Sequence, residues 1–173
     1  MAIFGSKGHR IAEEEGDPVK RRIVYHILFW GYCALMAWLL FGRTRLAIVD
    51  GYWNTLAQHV NLIPFYTVRL FINVLVEDYG QGLNRVAIIN LVGNVIMFLP
   101  LGFLPPLLWK AFQKWWKMLL WGTGVIVCVE LIQLFTLVGK CDIDDLLLNV
   151  VGIAVGYGIY RILMRITKRK PGK

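Results

Sequence analysis

Acidic residues are scarce in this chain: 11 aspartates and glutamates occur among 173 residues, against 19 lysines and arginines. Histidine and cysteine are scarcer still, at three each. Cys33 and Cys128 lie inside apolar runs and Cys141 between two of them, so there is neither a disulfide pairing pattern nor a CxxC spacing, which argues against structural zinc. His26 and His59 stand at no ligand spacing, and His9 sits in a polar tail. No nucleophile motif occurs. The net charge is +8, yet the basic residues collect at the ends of apolar runs without a basic and aromatic platform, so no nucleic-acid partner is expected.

What fills the chain is hydrocarbon: 57% of its residues are hydrophobic and 17% charged, with a mean hydropathy of +0.57. The runs Ile23–Phe41, Val86–Leu104, Met118–Val138 and Ile143–Ile162 approach the length that crosses an apolar layer about 30 Å thick. The expected fold is an all-α membrane protein of four transmembrane helices, with an interfacial amphipathic helix between the first and second. The first run is too long for a signal-peptide core and no small-residue cleavage site follows it, so it reads as a retained span. Pro100 should kink the second span and Pro105-Pro106 should end it. Gly122 and Gly124 in the third span read as points of close approach.

Between the first two spans, Asn61 to Phe65 reads as an extended elbow, because Pro64 disfavours helix at Ile63. Val68, Phe71, Ile72, Leu75 and Val76 then form an apolar stripe opposite Arg69, Asn73 and Glu77, on a helix too short to span. The organisation is a tail at 1–22, a four-helix domain at 23–164 that includes the 43–85 segment, and a basic tail at 165–173. The tails, the neighbouring Arg161 and the 105–117 loop hold 14 of the 19 lysines and arginines, which places both termini in the cytoplasm and 43–85 outside.

On that topology polar side chains from four separated segments reach one depth, at or within roughly 12 Å of the outer face by helical rise. They are Asn90 and Asn94 in the second span, Glu130 and Gln133 in the third, Asp142, Asp144 and Asp145 opening the fourth, and Asn149 one turn further. Asp145, Asn149, Gly152 and Gly156 share one helix face, a polar face with a glycine track. An ionisable group inside a span costs roughly 2.5–3.5 kcal/mol, so Glu130 should face protein. The bland alternatives are that the aspartates cap the fourth helix and that the asparagines bond helix to helix.

Four motifs carry a resemblance: Asn61-Leu62-Ile63-Pro64-Phe65, the block NLVGNVIMFLPLGFLPP from Asn90, the ELIQ from Glu130, and DIDDLLLNVVGIAVGYG from Asp142. In this order they resemble the VanZ-like family over about Asn61 to Tyr160. The resemblance implies a small bacterial cell-membrane protein whose founding member is associated with low-level resistance to teicoplanin, a lipoglycopeptide that binds cell-wall precursors. It also implies that Asn61, Pro64, Asn90, Asn94, Pro100, Glu130, Gln133, Asp142, Asp145 and Asn149 are the family's polar and proline positions. Where the family often has Arg shortly before DxDD, Lys140 stands here, keeping the charge without the bidentate fork.

Three functions fit these residues. The polar pocket binds a lipid-linked envelope component or a lipoglycopeptide, with Asn61, Asn90, Asn94, Gln133, Lys140, Asp144 and Asn149 as contacts and membrane lipids as surroundings. Alternatively it is an enzyme site, with Glu130 as general base and Asp142 or Asp145 holding a divalent cation. A small proton- or ion-coupled transporter is third, weakened by the lack of an evident inverted repeat. An oligomer is compatible with all three.

Overall fold

Lipid offers no partner to a free N–H or C=O, so an apolar run at membrane depth closes its hydrogen bonds within itself as helix. The computed structural model describes residues 18–42, 47–48 and 51–168. Among them the runs become α1 (Pro18–Phe41), α4 (Gln81–Leu108), α5 (Trp115–Phe135) and α6 (Ile143–Lys168), each long and apolar enough to span. Between α1 and α4 lie α2 (Tyr52–Gln58), strand β1 (Val60–Asn61) and α3 (Tyr66–Glu77); strand β2 (Cys141–Asp142) precedes α6, and a 3-10 turn at Lys110–Gln113 joins α4 to α5. The acids Glu13, Glu14, Glu15 and Asp17, with His9, Arg43, Arg45 and Lys170, lie outside the described residues. Trp38, Ile96, Leu120 and Ile162 are exposed on the flanks, while Glu130, Gln133, Asp142, Asp144 and Asn149 are buried. Polar inside and apolar outside is the arrangement that lipid requires.

The central pair is α4 with α6, and its closeness comes from glycine. A Cβ on Gly102 would stand 2.0 Å from the Ile153 carbonyl oxygen, one on Gly152 2.3 Å from that of Val95, and one on Gly156 2.0 Å from that of Leu99. The two backbones therefore touch, the small-xxx-small geometry by which membrane helices gain packing without a hydrophobic driving force. Gly122 of α5 receives the Ile153 side chain, but Gly124 faces open space, so only one of the two expected contacts forms. Helix α1 lies against α4 through the buried Phe29 and Met36.

Three boundaries differ from the expectation. Helix α4 is not ended by Pro105-Pro106; it runs through Pro100, Pro105 and Pro106 to Leu108. The Tyr32 hydroxyl donates to the Met97 oxygen (3.0 Å) in the turn before Pro100, and Trp109 N–H closes the helix on the Pro105 oxygen (2.8 Å). Helix α5 ends at Phe135 rather than Val138, and the stop is Leu137, in the left-handed region at φ 55°. Val138 N–H donates to the Gln133 oxygen at 2.9 Å and Leu137 N–H to the Leu134 oxygen at 3.0 Å, a Schellman cap that seats a leucine where glycine is usual. Finally, the elbow is a strand only at Val60–Asn61, paired in parallel with Cys141–Asp142, and α2 before it had no counterpart in the sequence reading.

Gly156→Ala is expected to lower the thermal midpoint of the detergent-solubilised protein, with an overpacking cost of about 1–3 kcal/mol. Gly124→Ala should hold or raise it, since alanine exceeds glycine in helix propensity by up to about 1 kcal/mol. Equal midpoints for the two variants would mean that the α4 and α6 backbones are not in contact.

Candidate functional site

The start of α6 organises one end of the bundle. Asp142 precedes the first helical residue and its Oδ1 accepts the Asp144 N–H at 2.9 Å, so it is the N-cap. Its Oδ2 accepts the Thr67 hydroxyl (2.6 Å) and the Asn61 amide (3.2 Å), tying α6 to β1 and α3. Asp144 is fully buried and caps a different helix: its carboxylate accepts the backbone N–H groups of Phe65 (2.5 Å) and Val68 (3.0 Å) at the start of α3. Phe65 is held at φ 63°, a left-handed conformation unusual for a bulky residue, by the turn that this carboxylate grips. Helix α3 is thus anchored by a side chain 79 residues away in sequence.

The anchoring closes a cavity of about 640 Å³ at this end of the bundle. Its walls are Asn90, Asn94 and Phe98 from α4, Glu130 and Gln133 from α5, Val138, Gly139 and Lys140 from the break, and Asp142, Asp145 and Asn149 from the start of α6. Tyr66, Thr67, Leu70 and Phe71 of α3 lie over it, while Ile72 and Val76 of the apolar stripe are exposed. Of the candidate residues, Asn61, Asn90, Asn94, Glu130, Gln133, Lys140, Asp142, Asp145 and Asn149 line this one space. Asp144 does not: its oxygens hold α3 and it is absent from the walls. Because α5 stops at Phe135, Glu130 lies about 8 Å from the helix end by helical rise, shallower than the sequence suggested.

Hydrogen bonds fix most of these side chains. Asn94 donates to Asp145 Oδ1 at 2.6 Å, Gln133 to the Leu40 carbonyl of α1 at 2.8 Å, and Asn90 to the Val86 carbonyl of its own helix at 2.8 Å. Glu130 is 7% exposed and Asn149 4%, and Glu130 Oε2 and Asn149 Oδ1 have no hydrogen-bond partner in the protein. Among the described residues no three acidic, histidine or cysteine side chains converge as a metal site. Burial pushes the Cys141 thiol up, and the Glu130 and Asp142 carboxylates add to the effect, which disfavours the thiolate.

Sequence reasoning missed Gln58, His59, Tyr66, Thr67 and Leu40 as wall residues. His59 had been read as incidental; its Nδ1–H meets the Thr55 carbonyl at 2.6 Å and Cys141 N–H donates to its carbonyl at 2.9 Å. That placement follows from the β1–β2 pairing, which no local spacing announces.

Asp144→Ala would leave two amides at the start of α3 without their charged acceptor. Hydrogen bonds to charged groups contribute about 1.5–3 kcal/mol each. Hydrogen exchange at Phe65 and Val68 should accelerate at least about tenfold while exchange in α4 is unchanged; unaltered exchange would show that another group holds α3.

Comparison with known proteins gives one match. The VanZ/LLP1 family model matches residues 29–164, from within α1 to within α6. No curated protein and no solved structure matches the chain. The matched stretch takes in α2 through α5 and every residue lining the cavity, and the chain belongs to the VanZ/LLP1 family.

Proposed function

We propose that this chain is a membrane binding protein whose cavity takes the head group of a lipid-linked cell-envelope component or a lipoglycopeptide, and so contributes to teicoplanin-type resistance, the property with which the family is linked. One observation carries the reading: two oxygens, Glu130 Oε2 and Asn149 Oδ1, are buried in the wall of a cavity of about 640 Å³ and bonded to nothing in the protein. A buried polar atom left unmade costs about 1–3 kcal/mol, so these positions favour an incoming donor. The volume lies in the range of small-ligand sites. Access from lipid is supported by the exposed apolar residues Leu62, Ile63, Phe65 and Leu70 beside the cavity.

Acid–base chemistry on such a ligand is the second reading. It draws on the Glu130 and Asp145 carboxylates standing near enough to interact. Glu130 would be the base, but Asp142 already accepts three protein donors and is poorly free for a cation.

The test is lipid mass spectrometry on wild type, Glu130→Gln and Asn149→Leu purified alike, with teicoplanin susceptibility of the producing cells. Each variant should carry about tenfold less co-purified ligand, the worth of one charge-assisted hydrogen bond, and shift susceptibility at normal abundance. A product species seen only with wild type would favour catalysis. Unchanged lipid content and susceptibility in both variants would sink the site. The termini are proposed to be cytoplasmic and the cavity external, from the distribution of basic residues. In a cysteine-free background an impermeant maleimide added to intact cells should label Gln81→Cys and spare Lys170→Cys; the reverse would invert the orientation.

A further inference from the structure

We infer that the head group taken by this cavity carries a protonated amine, so that the ligand is an ammonium-bearing lipid and not one whose polar part is only phosphate and hydroxyl. This rests on the binding reading above and names the ligand class for the same cavity.

Each carboxamide in the wall has an oxygen that accepts and an NH2 with two N–H groups that donate, and in Asn61, Asn90, Asn94 and Gln133 the protein already uses at least one of them. The Asn61 NH2 donates to Thr67 Oγ1 (3.1 Å) and Asp142, that of Asn90 to the Val86 carbonyl, that of Asn94 to Asp145, and that of Gln133 to the Leu40 carbonyl. The partners fix these orientations, because a carboxylate or a carbonyl can meet only the NH2 end. Thr67 likewise gives its hydroxyl proton to Asp142. His59 directs its Nδ1–H at the Thr55 carbonyl, and in the neutral ring the other nitrogen then accepts. Among the acceptors, the Asn61 oxygen is held by the Ile63 N–H at 3.2 Å, whereas Glu130 Oε2 and Asn149 Oδ1 are buried and unpartnered. A ligand that satisfies those two oxygens must supply N–H or O–H protons.

Charge separates the two. Glu130, Asp142 and Asp145 line the cavity against one lysine, and no arginine is in its wall. An anion deep in this space would face three carboxylates, whereas an ammonium brings both the charge and N–H groups that the two unpartnered oxygens lack. Gln58, Tyr66 and Lys140 add donors on exposed side chains. They suit a phosphate left at the rim when the ammonium lies within.

The experiment is native mass spectrometry of the full detergent-solubilised chain, offered dioleoyl phosphatidylethanolamine, phosphatidylglycerol and phosphatidylcholine in equal amounts. The three probes share their chains and phosphate. The first ends in an ammonium with N–H groups, the second in hydroxyls without charge, the third in a cation without N–H. Retention of the ethanolamine lipid should exceed either other by about tenfold, the scale of one charge-assisted hydrogen bond. Glu130→Gln and Asn149→Leu should abolish most of that preference without lowering the thermal midpoint, and the wild-type selectivity tests the inference even where a variant folds poorly. Preference for the glycerol or choline lipid, reduced by both variants, overturns the ammonium while leaving the cavity as a binding site. Equal retention of all three, indifferent to both variants, overturns the ammonium and the binding reading together.

Discussion

Two carboxylates two residues apart in the chain hold this end of the protein together. Asp142 and Asp144 both lie at the start of α6, yet they point their oxygens into different elements: Asp142 to its own helix, Asn61 and Thr67, and Asp144 to the amides that open α3. Burying such charges is affordable only where several oriented N–H and O–H groups replace water, and helix N-termini provide them ready-made. The cavity follows from this: with α3 anchored, Tyr66, Thr67, Leu70 and Phe71 cover polar side chains that would otherwise open to the membrane surface.

The remaining scaffold holds those side chains at fixed separations. Contact of backbone with backbone through Gly102, Gly152 and Gly156 leaves α4 and α6 no slack to slide, so Asn94 meets Asp145 at 2.6 Å across the same pair. The hydrogen bond and the glycine contacts lie along one helix interface, from the cavity inward. Beyond them the far end is aromatic and hydrophobic, with Phe29 and Phe112 edge-on to Trp109 and the Tyr157 hydroxyl on the Gln113 carbonyl. Polar side chains and apolar packing are thereby separated along the bundle axis.

The four spans and the amphipathic helix were readable because hydropathy and period are local properties of a segment. The gathering of Asn90, Asn94, Glu130, Gln133, Asp142, Asp145 and Asn149 was readable for a related reason, since helical spacing and alternating topology bring them to one level. What stayed hidden is non-local. Asp144 and Asp145 are the same residue type side by side, and only the position of Phe65, 79 residues earlier, decides that one anchors a helix and the other faces the cavity. His59 entered the wall through strand pairing with Cys141, which no pattern near either residue signals. The Pro105-Pro106 stop failed because a local rule cannot see packing: both prolines are buried in the bundle, where the helix continues to Leu108.

The same hydrogen-bond inventory bears on chemistry. Acyl and phosphoryl transfer build negative charge in the transition state, and enzymes meet it with donors aimed at the developing oxyanion and left free until then. Here Asn61, Asn90, Asn94 and Gln133 each commit at least one amide N–H to a protein acceptor, the Asn61 oxygen is held by the Ile63 N–H, and no arginine is in the cavity wall. The amides are thereby fixed in position by the protein itself. With Glu130, Asp142 and Asp145 in the same wall, the cavity is poorly suited to stabilise an incipient oxyanion and better suited to a cation. That balance is why binding is proposed ahead of catalysis for this cavity.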